Sequence, residues 1–250
     1  MRILVSNDDG IDAPGLALAV DAARRLTDDV WVVAPDAKRT AASNGLTMAR
    51  PLTLTQRAPQ TFACSGTPAD CIVTAMAWLL KDQTPPDLVI AGVNDGRNVG
   101  EDLAYSGTLG VAREATFWNI PAIGFSRVKD PDLTAGDAEW LATLIGSLWQ
   151  ARAEWVADGH WLSVNLPTRL PAKLVQARIG RDKIARHCEL VSREGDVTTL
   201  LIPRGRAHDT TPGDENDMLD RGLGTINRLN WFGEMPLAQT FLATLMGDRD

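Results

Sequence analysis

Asp8 and Asp9 stand side by side directly after the short apolar run Ile3-Leu4-Val5 and before Gly10. Two adjacent carboxylates where a strand stops repel each other unless a proton or a cation compensates them. A hard divalent ion is the simplest compensation, because it takes oxygen ligands. Asp-Asp-Gly is also ordinary turn chemistry, since Asp caps helices and Gly accepts positive φ, so the dipeptide needs company. Company comes from two later loops. A second apolar run, 30–34, leads into Pro35-Asp36-Ala37-Lys38-Arg39-Thr40-Ala41-Ala42-Ser43-Asn44-Gly45, and a third, 87–93, leads into Asn94-Asp95-Gly96-Arg97-Asn98. All three loops are polar, carry Gly and follow runs too short for a helix, so they are predicted to open on one edge of a parallel sheet. In open α/β sheets that edge is where ligands bind.

Tyr105-Ser106-Gly107-Thr108 then runs into a helical pattern over 109–118. A helix start offers free amides and the positive end of the helix dipole, which together seat a phosphate. The bland alternative is a plain Ser or Thr cap.

These segments, with Gly66-Thr67-Pro68-Ala69-Asp70-Cys71 and Gly92-Val93-Asn94, resemble the survival protein SurE family, metal-dependent nucleotidases acting on nucleoside monophosphates. Five ordered motifs carry the resemblance. It is close from Met1 to about Arg127 and weaker beyond, where Ser163-Val164-Asn165-Leu166-Pro167 and 222–230 are similar to the family's later strands. The resemblance implies that Asp8, Asp9, Thr40 and Asn94 hold one Mg2+ or Mn2+ per subunit, and that Asn44, Asn98, Ser106, Gly107 and Thr108 lie at the phosphate. It also implies a homodimer or homotetramer in which 222–231 and 236–246 exchange contacts. Two residues depart from the family pattern: Thr40 stands where Ser is usual, and Asp12 where His is frequent. Thr keeps the oxygen but narrows the rotamers.

Carboxylates, an amide oxygen and a hydroxyl form an all-oxygen set that suits magnesium or manganese and not zinc or copper, which favour His and Cys. His160, His187 and His208 are scattered through the second half and are read as solvated or structural. The implied chemistry is hydrolysis of a phosphomonoester by water, with the helix start receiving the phosphoryl charge and Asp8 or Asp9 positioning the water or taking its proton. A phosphoaspartate route ranks lower, because the acids are adjacent rather than spaced Asp-x-Asp. A nucleotide-sensing protein with weak catalysis is the alternative on the same scaffold. A phospho-accepting receiver domain would need an Asp where the chain has Asn94, and half the length.

The elements needed to place these loops alternate. Strands are predicted near 2–6, 30–34, 87–93, 121–126 and 161–166, and helices near 15–26, 68–81, 107–118 and 137–152. This is a doubly wound, mostly parallel, Rossmann-like sheet in three layers, predicted as one α/β domain over 1–250. Thr/Val/Leu alternation over 47–61 and roughly 175–206 predicts β-hairpin extensions, with 175–235 forming an extension and oligomerisation region that ends in a strand/helix arm.

Composition bounds the partners. The chain has 250 residues, enough for a full core, and a net charge of -7, which excludes nonspecific duplex binding through a basic surface. Cys64, Cys71 and Cys188 are too few and too irregular for a disulfide framework, with Cys71 read as buried and structural. With no apolar stretch of membrane-spanning length and no leader pattern, a cytoplasmic location is expected. Eight Trp against one Tyr are read as core or interface packing, since Trp140 and Trp149 do not share a helix face.

Overall fold

The computed structural model describes residues 1–129, 131–183, 186–203 and 208–233. In chain order it forms β1 (Ile3–Ser6), α1 (Pro14–Arg24), β2 (Val30–Pro35), β3 (Leu54–Ala58), β4 (Thr61–Cys64), α2 (Pro68–Thr74), β5 (Leu88–Asp95), α3 (Asp102–Tyr105) and α4 (Gly107–Phe117). There follow β6 (Ala122–Arg127), α5 (Asp137–Gln150), β7 (His160–Leu166), β8 (Leu174–Val175), β9 (Glu189–Glu194), β10 (Val197–Leu201), α6 (Glu215–Asp220) and β11 (Gly224–Asn230). The helix start signals act as their chemistry dictates. Thr67 and Asp70 form a reciprocal capping box at α2, and Ser106 Oγ accepts the Leu109 amide at α4. The helix expected over 68–81 is α-helical only to Thr74 and continues as a π turn over Ala75–Leu79. The expected helix over 236–246 lies outside the described residues.

The nine-stranded sheet has the order β3-β4-β2-β1-β5-β6-β7-β11-β8. From β4 through β7 neighbours run parallel, while β3 and β11 pair antiparallel with β4 and β7. Strand residues alternate between two cores. Ile3, Val5, Ile90 and Phe125 pack under α1 and α5, whereas Leu4, Val89 and Ala122 pack under α2 and α4. This is a doubly wound, three-layer α/β sheet. Because α5 crosses on the face of α1 and α4 on the other, the β6-α5-β7 connection has the opposite hand to β5-α4-β6, and α1 and α5 wall the same side.

The winding reverses at β1, which pairs with β2 on one side and β5 on the other. A crevice therefore opens between the carboxyl ends of β1 and β5, the position where open α/β sheets bind ligands. Close approach of α1 to that crevice depends on Gly15, where a Cβ would lie 1.9 Å from the carbonyl oxygen of Val93. A Gly15→Ala substitution is expected to push α1 off the end of β5 and to destabilise the protein by about 2 to 3 kcal/mol, as overpacking does. Urea unfolding checks it; an unchanged midpoint would show that the helix shifts freely.

Candidate metal and phosphate site

Residues 7–10 form a tight turn after β1. Asn7 Oδ1 accepts the Gly10 amide at 3.2 Å and its Nδ2 donates to the Gly10 carbonyl at 3.0 Å, so the turn closes on itself. Asp8 is buried and its Oδ1 accepts the Thr108 hydroxyl. Burial, reinforced by the charge of Asp9, pushes its carboxyl up to about 6, against the opposing effects of Thr108 and Lys38. Asp9 is engaged through both oxygens. One of its oxygens accepts the Asp95 amide at 2.8 Å, and the other is paired with the Lys38 ammonium.

The loop after β2 is pinned to this turn. Arg39 donates its amide to the Asp8 carbonyl at 2.7 Å, while its guanidinium turns back to Asp36 at 2.9 Å. Thr40 follows, exposed, and among the described residues no hydrogen bond ties its hydroxyl to either carboxylate. Asn94 is the last residue but one of β5, beside the crevice; its Nδ2 donates to the Gly96 carbonyl at 2.8 Å, which leaves the amide oxygen for a cation. Asp12 is highly exposed and paired with Arg57 at 3.3 Å, so its charge is partly answered away from the turn.

The expected phosphate residues divide. Gly107 and Thr108 sit against Asp8 at the start of α4, and a Cβ on Gly107 would lie 2.7 Å from Asp8 Cβ and 2.9 Å from Pro68 Cγ. The glycine is therefore required by the carboxylate and the proline packed on it. The Ser106 and Thr108 hydroxyls are spent within the fold, one on the cap and one on Asp8, so the first free amides of α4 carry the anion-seating capacity. Asn44 donates to Glu114 Oε2 at 2.9 Å, while its buried Oδ1 has no partner among the described residues. Asn98 is buried and turned inward: Nδ2 donates to Ser126 Oγ at 2.7 Å and its amide to Asn165 Oδ1 at 2.8 Å. It braces the loop rather than presenting an amide to the crevice.

Sequence reasoning passed over the residues that hold these in place. Lys38 was legible as a cation in a loop that faces paired acids. Asn165, a polar residue in a strand of apolar neighbours, also returns a 3.0 Å bond to the Asn98 carbonyl. Glu215 gave no signal, being one of several acids in a polar stretch. Its two oxygens accept the Gly100 amide at 3.1 Å and Asn227 Nδ2 at 3.0 Å, and burial pushes its carboxyl up to about 7. Arg97 is held by Asn216 and Asp220 from the same helix, at 2.7 and 2.9 Å. The late region thus clamps the loop that follows β5. His208 pairs with Asp182 in that clamp, whereas His160 and His187 stand away from the carboxylates.

On the α1 side the site opens into a cleft of about 610 Å3. Asp9, Lys38 and Asn94 line one end, and Ile11, Leu18 and Leu133 line apolar wall.

Residues 3–189 match the family described as Survival protein SurE. The chain belongs to the SurE family. It is 38% identical to the 5'-nucleotidase SurE of Azorhizobium caulinodans over 236 residues, 92% of each chain, and 37% identical to that of Vibrio cholerae over 234 residues, 92% of this chain and 91% of the other. Over 127 residues, about half of each chain, identity with the Methylobacterium radiotolerans 5'-nucleotidase SurE reaches 50%. The fold matches the crystal structure of the SurE protein from Aquifex aeolicus with a TM-score of 0.78, covering 98% of this chain and 100% of the other at 24% identity. Membership in SurE removes the receiver-domain alternative.

The residue types present fit a hard divalent ion: two carboxylates and an amide oxygen stand at the carboxyl ends of the neighbouring strands β1 and β5, and the buried carboxylate is held at an energetic disadvantage that a cation relieves. Among the described residues no group of three or more His, Cys, Asp or Glu is gathered to hold a metal ion, so a site here draws on the Asn94 amide oxygen beside the two carboxylates. With its carboxyl raised from 3.8 to about 6, metal-free Asp8 contributes stability when protonated, and that contribution is lost as pH rises through this interval. Asp8→Asn keeps an acceptor for Thr108 without the charge, so at pH 7 in EDTA it should be more stable than wild type, by on the order of 2 kcal/mol. The difference should shrink as pH falls towards 4. Calorimetric melting at several pH values checks it, and a destabilised, pH-independent Asn variant would overturn the assignment of burial as the cause.

Proposed function

We propose that the protein is a divalent-metal-dependent phosphomonoesterase that hydrolyses nucleoside 5'- or 3'-monophosphates to nucleoside and phosphate. The observation that carries this reading is the placement of Asp8 between the Asp9 carboxylate and the start of α4: a cation-demanding pair lies against an anion-seating helix end. The names of the relatives, 5'-nucleotidase SurE, support the nucleotidase reading.

Asp8, Asp9 and Asn94 would hold Mg2+ or Mn2+, with the Thr40 hydroxyl as a fourth donor from the pinned loop. A bound ion supplies Lewis-acid polarisation of a phosphoryl oxygen and charge neutralisation between the carboxylates and the substrate. The amides of Gly107 and Thr108 and the dipole of α4 receive the phosphoryl oxygens as negative charge builds. Asp8 or Asp9 orients the attacking water or accepts its proton. Asn44 and Ser106 frame the seat through the Glu114 bond and the helix cap, and Asn98 keeps the β5 loop in register. The cleft beside Asp9 has the size and apolar lining that suit the nucleoside portion.

Assembly as a homodimer or homotetramer is part of the proposal. Strands β9 and β10 form a separate two-stranded sheet whose residues are exposed throughout, among them Leu190, Val191, Val197 and Leu200 at 62%, 61%, 66% and 56%. Such a ribbon is marginal alone, and an apolar one is suited to docking on a second copy. The buried free thiols Cys64 and Cys71 agree with a cytoplasmic location, and no helix among the described residues is long and apolar enough to cross a membrane.

Phosphate release from a panel of 5'- and 3'-nucleotides, with and without Mn2+, tests the function. Activity should require the ion, and Asp9→Asn should lower turnover at saturating Mn2+ by about 100-fold while the protein stays folded. Nucleotide binding without turnover would instead support a sensing role. For assembly, Leu190→Lys with Val197→Lys should reduce the mass measured by light scattering to that of a smaller species.

A further inference from the structure

Lys38 occupies a position that neither the metal nor the phosphate reading uses. Its placement is set by the backbone. Gly10 packs directly on the loop after β2, so that a Cβ there would be 3.3 Å from Ala37 C and 3.5 Å from Lys38 N, and the next residue bonds Asp8 through its amide at 2.7 Å. From this anchored start the ammonium reaches Asp9 Oδ1 and lies 3.6 Å from Asp95 Oδ2. The second Asp9 oxygen accepts the Asp95 amide at 2.8 Å. Arg39, the neighbouring cation, is committed elsewhere, to Asp36 and to the Ser65 carbonyl at 2.9 and 3.0 Å.

On the metal reading given above, we propose that Lys38 is an exchangeable counter-cation: it holds Asp9 in the metal-free protein and must leave before a divalent ion takes the same oxygen. An ammonium and a divalent ion in contact with one carboxylate oxygen repel strongly at that distance. The Lys38 side chain is 43% exposed while that of Asp9 is 7% exposed, so the lysine can withdraw into water while the carboxylate stays in place at the cleft. Its flexible four-carbon stem allows that exchange without moving the loop. Residue 38 thereby sets the metal affinity of the site and keeps the metal-free carboxylate pair from being left uncompensated.

The test separates exchange from a merely structural role, which would weaken the metal-free fold and the metal site together. Mn2+ is titrated calorimetrically into the full chain, without substrate, for wild type, Lys38→Met and Lys38→Arg, and each is melted in EDTA. Lys38→Met should bind Mn2+ about fivefold more tightly and melt at a lower temperature in EDTA, and Lys38→Arg should stay close to wild type in both. Lys38→Gln serves in place of Met if that variant fails to fold. An unchanged or weakened Mn2+ affinity in the neutral variants would overturn the exchange while leaving the metal site intact. Absence of Mn2+ binding in wild type and variants alike would overturn the metal reading and the exchange with it.

Discussion

Two carboxylates on consecutive residues at the end of a buried strand impose the constraint that the rest of the site answers. Their mutual repulsion and the burial of Asp8 disfavour the doubly ionised state, and the fold responds from several directions. The Thr108 hydroxyl bonds one acid, the Asp95 amide and the Lys38 ammonium bond the other, and Arg39 fixes the turn through its backbone. These partners come from three segments at the carboxyl edge of the sheet: the start of α4, the end of β5 and the loop after β2. The order of strands is therefore part of the electrostatics: only a reversal of winding at β1 places β5 and the loop after β2 on opposite sides of the same turn.

Close backbone approach is the second recurring device. Gly15 lets α1 meet Val93, Gly107 lets α4 meet Asp8, and at Gly110 a Cβ would lie 2.1 Å from the Ser43 carbonyl oxygen, so α4 also meets the loop that carries Asn44. A side chain at any of the three would wedge a helix away from the crevice. The precision of the site rests on absent atoms as much as on the donors, which is how a few weak polar contacts hold a rigid geometry.

The late part of the chain has two roles. The segment around α6 holds the loop following β5 through Glu215, Asn216 and Asp220, and so supports the site. The hairpin β9–β10 makes its pairing only with itself among the described strands and presents aliphatic side chains to solvent. One stretch of sequence, read at first as a single extension, is thus split between bracing the site and offering a surface.

Fold class, the alternation of elements and the edge on which the loops gather were legible in the sequence, because apolar periodicity and turn residues are local signals that burial reinforces. Asp8, Asp9 and Asn94 were legible for the same reason, since each directly follows such a run. Roles that depend on where a side chain finds its partner were not. Ser106 and Thr108 look alike as helix-start hydroxyls, yet one caps α4 and the other bonds a buried acid; Asn98 looks like a site amide and turns inward to Ser126. Glu215 and Asn165 find partners 115 and 67 residues away and Lys38 reaches from one loop to another, and no spacing encodes such contacts. The sequence by itself determined which residues could demand and supply charge. The tertiary structure decided which of them meet, because hydrogen bonds and ion pairs are short-ranged, and only the packing of strands and helices brings distant loops within that range.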